Sequence, residues 1–133
     1  MLDDTHGLLP REAQWTWGMA GGTLEDGTSV GFNLSEDWNE TRENVVWLGD
    51  EIHTLDDVHV ECSPERPGRP WHLCSEDGSI DLTLSVEGLR RHETNFHVVA
   101  SQYLQPLGYW HGRLIDREAH DLFGVAEDHE ARW

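Results

Sequence analysis

Short runs of apolar, β-branched and aromatic residues recur along almost the whole chain, separated by glycine, aspartate and asparagine. That is the pattern of consecutive antiparallel strands, and no stretch keeps a helical period beyond about two turns. Gln14 to Gly21 places Trp15, Trp17 and Met19 on one face of a first strand. LEDGTS, from Leu24 to Ser29, predicts a hairpin turn with Asp26-Gly27 at its tip, and Val30 to Leu34 returns. The polar residues 35–43 read as a loop, followed by a strand from Asn44 to Leu48, a Gly49-Asp50 turn and a strand from Glu51 to Leu55. Val58 to Cys62 and Trp71 to Cys74 flank the segment SPERPGRP, whose prolines exclude it from a central strand.

After the Asp77-Gly78 turn, Ile80, Leu82, Leu84 and Val86 alternate with Asp81, Thr83, Ser85 and Glu87, the signature of a strand with one wet face. Gly88 to Asn95 reads as a polar connection, and Phe96 to Tyr103, Gly108 to Leu114 and His120 to Val125 as the last strands. The acidic end AEDHEARW is too polar for a central strand throughout. Its first residues are expected to continue a strand and its last to turn over the end of the barrel, with the Trp133 ring packed on it. Roughly nine or ten short strands with turns every 8 to 12 residues imply a sandwich or barrel. A barrel is favoured because hairpins with short turns dominate and closure removes sheet edges. The expected fold is therefore all-β, an antiparallel barrel or curled half-barrel. The 133 residues suffice for one domain with one core, and seven tryptophans supply apolar area that a 37% hydrophobic content would otherwise lack.

Charge narrows the partners. The chain has 26 acidic residues against 9 basic ones, all arginine, for a formal net charge of −17. Such self-repulsion destabilises a compact state unless salt screens it, so the composition suits a salt-rich, halophilic cytoplasm; a GC-rich genome explains the missing lysine but less well the acidic excess. Nucleic acid is excluded as a partner because no basic stripe is present to replace phosphate counterions, and the same field disfavours an anionic membrane surface. No run approaches the roughly 18 apolar residues of a transmembrane helix, and the N-terminus has acids where a signal peptide has basic residues, so a cytoplasmic location is expected.

Three stretches carry a family resemblance: GLLPREAQWTWGMAGG with VGFNL between Gly7 and Leu34, ENVVWLGDEIHTL from Glu43 to Leu55, and GVAEDHEARW from Gly124 to Trp133. Together they resemble the C-terminal half of the uncharacterised family known as domain of unknown function 2804. Members of that family are usually longer, so the resemblance implies one β-barrel-like domain from a longer architecture, with an N-terminal partner domain or a homo-oligomer as possible context. The family is distantly similar to lipocalin-like proteins that include hydratases and pericyclases, which implies a lipocalin-like barrel with an apolar pocket. No catalytic residues come with it.

Several constellations carry candidate chemistry. Glu127, Asp128 and His129 bring two carboxylates and an imidazole together, and alternation allows at most Glu127 and His129 to share a site. They serve either as acid–base or ligand-contacting groups or, more simply, one carboxylate pairs with an arginine such as Arg113 or Arg132 and fastens the chain end. Trp15 and Trp17, with Asn33 and Asn44 on neighbouring strands, form the candidate ligand-binding set, against plain core packing for the indoles. His59, Cys62, His72 and Cys74 have zinc-ligand chemistry but the wrong spacing, so no metal is expected. No phosphate loop or nucleophile elbow is present, and no cofactor is implied. The leading expectation is a binder of a small apolar or amphipathic molecule. The alternatives are a hydratase, isomerase or cyclase using carboxylate acid catalysis, and a structural domain completing another chain's barrel.

Overall fold

A computed structural model describes residues 11–36, 43–96 and 99–132. Its strands are β1 (Glu12–Thr23), β2 (Ser29–Glu36), β3 (Val45–Leu48), β4 (Glu51–Thr54), β5 (Val58–Glu61), β6 (Trp71–Ser75), β7 (Ile80–Phe96), β8 (Val99–Leu114) and β9 (Arg117–Arg132). All are antiparallel in a single sheet ordered β4-β3-β2-β1-β9-β8-β7-β6-β5, and the described residues include no helix. Two meanders, β1–β4 and β5–β9, are thus joined by pairing of the first strand with the last.

Curling follows from connectivity. β4 and β5 are the opposite edges of the sheet, yet only Leu55, Asp56 and Asp57 separate them in sequence. A chain advances at most about 3.5 Å per residue, so the edges must approach each other. Side chains bridge the gap where no ladder does. Glu36 on β2 accepts from the Val60 backbone N–H on β5 at 3.0 Å and contacts His59 Nδ1 at 3.2 Å. Asn44, buried just before β3, donates from Nδ2 to the Asp56 carbonyl at 2.8 Å, while its Oδ1 accepts from Ser35 N–H at 2.7 Å. The result is a curled half-barrel.

One end of the concave face is the core. Trp71, Leu73, Ile80, Leu82, Leu84, Trp110 and Leu114 are wholly inaccessible to solvent, and Phe32 meets Trp110 edge-on with ring centres 5.6 Å apart. The interior is filled by rings: a Cβ on Gly18 would lie 3.0 Å from the Trp110 ring and 3.1 Å from Leu73, so the glycine makes room for the indole. Gly112, at φ +125°, takes a backbone conformation that favours glycine and marks the irregularity where β8 shifts register against β9.

The hairpin at Asp26-Gly27 forms as expected: Asp26 Oδ1 accepts from Thr28 N–H at 2.9 Å and Gly27 has φ +88°. Two expectations are corrected. Gly88–Asn95 is not a connection but the second half of β7, paired with β8 as far as Phe96 and Val99. The segment ending at Arg132 does not turn over the barrel's end but stays in the ladder, with β1 on one side and β8 on the other. In both places side chains on either face are polar or mixed, so the apolar alternation that betrays a strand is missing although the ladder continues. A register shift between Val86 and Gly88 compounds this by exchanging which parity of β7 faces the core. Trp133 lies outside the described residues.

Candidate functional site

Strands β7, β8 and β9 have 17, 16 and 16 residues, against 4 or 5 in β3 to β6. With β1 they therefore outgrow the packed core and form a four-stranded extension. Side-chain alternation assigns its two faces. Gly18 and Ala126, opposite each other, face the core, so Trp15 and Trp17 on β1 and Glu127 and His129 on β9 face outwards. Register then aligns them: Trp17 stands opposite Glu127, Trp15 opposite His129, His129 opposite Tyr103, and Tyr103 opposite His92.

Outward-facing side chains are knitted into one cluster. The Trp15 indole Nε1–H donates to Glu127 Oε1 at 3.0 Å, and Gln105 Nε2 donates to Glu127 Oε2 at 2.9 Å. His129 Nδ1 lies 3.6 Å from Glu127 Oε1, and its Nε2 lies 3.0 Å from Ser101 Oγ. The imidazole is held between Trp15, at 4.1 Å between ring centres, and Tyr103, at 5.7 Å, with Arg90 over the Tyr103 ring at 5.3 Å. The Glu127 and His129 side chains are only 13% and 18% exposed. A carboxylate so withdrawn from water needs its hydrogen bonds, and it obtains them from an indole and an amide.

Across the sheet, the concave face of the extension forms an open groove. A cavity of about 450 Å³ there is lined by Glu12, Gln14, Glu93, Gln102, Glu130 and Arg132, and Thr94 and Ser101 also border it. It adjoins a smaller recess of about 50 Å³ that shares Gln14, Gln102 and Glu130 and adds Arg91, Leu104 and Asp128. Burial pushes the Asp128 carboxyl above its usual range, and the charge of Glu130 adds to the effect, against a hydrogen bond from Thr16. Near it, burial raises the Cys62 thiol to about 11, so this cysteine is an unreactive thiol at neutral pH.

Of the residues singled out from sequence, the structure unites Trp15, Trp17, Glu127 and His129 on one face and sends Asp128 to the other. Asn33 lies further along β2, donating from Nδ2 to the Glu43 carbonyl at 3.3 Å, and the buried Asn44 amide is bonded at both ends to backbone. None of Trp15, Trp17, Asn33 and Asn44 lines the cavity or the recess. The expected arginine partner is corrected: among the described residues neither Glu127 nor Asp128 pairs with an arginine, because Arg113 reaches the Gly78 carbonyl at 3.4 Å and Arg132 lines the groove. His59 and His72 contact Glu36 and Asp81, and no group of three or more His, Cys, Asp or Glu among the described residues is placed to hold a metal ion. Sequence reasoning did not single out Ser101, Tyr103 and Gln105. Their alternation along β8 was the available signal, but not the strand order that sets them beside β9.

A nine-stranded, curled antiparallel half-barrel with a long four-stranded wing is thus the class of domain defined by fold and site. The chain belongs to the family described as domain of unknown function (DUF2804), which it matches over residues 1–133. No curated protein and no solved structure matches it. No helix among the described residues is long and apolar enough to cross a membrane.

Proposed function

We propose that this domain binds a small amphipathic molecule in the groove on the concave face of the extension. The observation that carries the reading is a contrast within one concave surface: the core end is filled by Trp71, Trp110 and aliphatic side chains, whereas the far end leaves a cavity of about 450 Å³. A few hundred cubic ångströms suit a small ligand. Amides of Gln14, Gln102 and Asn95 and carboxylates of Glu12, Glu93 and Glu130 favour a head group rich in hydrogen-bond donors, while Leu104 and Pro64 in the adjoining recess meet an apolar part. Lipocalin-like binding, implied by the resemblance, fits this reading with the ligand at the barrel's mouth instead of its middle.

Native mass spectrometry of protein purified from its own host tests it. The expected result is a retained small-molecule mass that is lost in Gln102→Trp, whose ring fills both recesses. A wild-type protein with no retained mass, or a mass that survives the substitution, contradicts it.

Asp128 favours a second reading, acid catalysis on the bound molecule. Its carboxyl is held towards the protonated form by burial and by Glu130, and it opens on the recess beside the cavity, the setting of a general acid. Hydratase, isomerase or cyclase chemistry needs such a proton donor. Asp128→Asn would then abolish turnover of the retained molecule while leaving its mass bound.

A further inference from the structure

The outward face of the extension holds a hydroxyl, an imidazole and a carboxylate in series; Ser101 also borders the cavity, whereas His129 and Glu127 line neither it nor the recess beside Asp128. Ser101 Oγ is 3.0 Å from His129 Nε2, and His129 Nδ1 is 3.6 Å from Glu127 Oε1. The order of contacts is that of a nucleophile, its base and the group that orients the base, each touching the correct ring nitrogen. We propose that Ser101 is a nucleophile that accepts the acyl group of esters bearing a small apolar acyl chain, with His129 as its base and Glu127 as the positioning residue.

Each part is held by neighbours that leave it little freedom. Glu127 is anchored by Trp15 Nε1–H on one oxygen and Gln105 Nε2–H on the other, so its position does not depend on the histidine. The imidazole lies between the Trp15 and Tyr103 rings. An Nδ1–H directed at Glu127, 3.6 Å away and so longer than a hydrogen bond in the free protein, leaves Nε2 as the acceptor that Ser101 requires.

Register supplies the remaining parts. Thr94 stands opposite Ser101, with its Oγ1 2.7 Å from His92 Nε2. With His92 Nε2–H donating to that oxygen, the threonine O–H is left to donate to charge developing on a carbonyl oxygen. One row further out, Phe96 and Val99 stand opposite each other on the same face, 69% and 42% exposed. They are an uncovered apolar pair next to the nucleophile, and they suit an acyl chain of a few carbons. Ala131, Ser101's neighbour on the other side, is buried, so approach is from β7, over the half-exposed Thr94 and the exposed His92.

In the first step Ser101 Oγ bonds to the ester carbonyl carbon while its proton passes to His129 Nε2. The carbon–alkoxy bond then breaks, and the leaving alcohol takes that proton. Water, deprotonated by His129, attacks the acyl-serine ester, and the carboxylic acid leaves as Ser101 recovers its proton. No oxidant, reductant or metal enters the balance.

An alkyl fluorophosphonate tests the nucleophile without any knowledge of the natural ester: phosphorus–oxygen bond formation expels fluoride, and the serine proton passes to His129. The full chain is incubated with the probe and followed by intact-protein mass spectrometry and peptide mapping, with near-ultraviolet circular dichroism as the check on folding. One adduct on Ser101 is expected, absent in Ser101→Ala, and formed about 100-fold or more slowly in His129→Gln. In Glu127→Gln the adduct should also form more slowly, and Glu127→Asp, which keeps a carboxylate beside the imidazole, should restore part of the rate. A purely structural role for Glu127 would make the labelling rate follow stability alone, with no such rescue. A wild-type protein that takes up no probe, an adduct that survives Ser101→Ala, or a labelling rate indifferent to His129→Gln overturns the proposal. His129 and Glu127 line neither the cavity nor the recess, so ligand retention in their variants is read independently of the labelling results.

Discussion

Two regions of this molecule are built from the same three strands and differ in nearly everything else. From Ile80 to Val86, Gly108 to Leu114 and Ala119 to Ala126, strands β7, β8 and β9 bury most of one face, Trp110 included, with Trp71 and Phe32 in the same core. Beyond the register shift at Val86 and Gly88 they continue as a wing with no such core, whose concave face carries Asp128, Glu130 and Gln102 and whose outer face carries Trp15, Glu127 and His129. Apolar burial holds the first region; backbone ladders and specific side-chain hydrogen bonds hold the second. The comparison teaches that a β-strand can outlast its hydrophobic pattern when its neighbours keep pairing with it, and that both candidate sites lie where the core has ended.

The largest expected effect separates the two regions directly. Trp110→Ala removes the ring that fills the barrel against Gly18 and Phe32 and should cost about 3 to 5 kcal/mol in urea-unfolding experiments. Tyr103→Ala, a half-buried ring of the wing, should cost about 1 kcal/mol. Equal losses would break the division between a packed region and a wing.

Next in size is Glu127→Gln. The amide that replaces the carboxylate presents an N–H₂ to one of two donors, the Trp15 indole or the Gln105 amide, and leaves that contact unmade in a poorly hydrated place. A loss of about 1 to 3 kcal/mol is expected from urea-unfolding curves. An unchanged midpoint would mean that the cluster contributes nothing to holding β1 on β9.

Salt should act on the whole molecule but by less. With a net charge of −17, screening is expected to raise the melting temperature by several degrees between about 0.1 M and 2 M KCl. A flat response over that range would leave nucleotide composition as the better account of the acidic excess.

The pH dependence should have opposite signs in the two regions. Asp77, in the turn before β7, is held down to about 2 by Ser75 and Ser79, so its contribution is present above the unfolded carboxyl range and lost as pH falls through about 2. Asp128 is shifted the other way: the native state keeps its proton longer than the unfolded chain, so stability falls as pH rises from the unfolded carboxyl value through the raised one. Asp128→Asn should therefore be more stable than wild type at neutral pH and lose the advantage below about pH 4, the unfolded carboxyl range. Thermal melts across that range check this, and a variant less stable than wild type at neutral pH would show that the carboxylate is structural.

Much of the fold could be read from the sequence wherever one face of a strand is wet and the other dry. Ile80 to Val86 is the clearest case, and the Asp26-Gly27 hairpin and the proline-rich loop between β5 and β6 follow from turn chemistry and ring geometry. Gly88–Asn95 and the end of β9 could not be read in that way, because neither face of the wing is uniformly apolar and the ladder that keeps them extended is formed by distant residues. Adjacent residues of one strand point to opposite faces, which is why Glu127 and His129 could be paired in advance and Asp128 set apart. Ser101 could not be joined to them. Only the order β1-β9-β8 brings Trp15, Glu127 and Ser101 together, and nothing local in the sequence specifies it.

Native-state hydrogen exchange tests the central claim most directly, because it reads opening free energies amide by amide along strands that belong to both regions. Leu82, Leu84, Trp110 and Leu122 should exchange only with global unfolding, while Arg91 to Thr94 and Ser101 to Tyr103 should exchange through openings smaller by several kcal/mol. Uniform protection along the whole length of β7 and β8 would contradict the account.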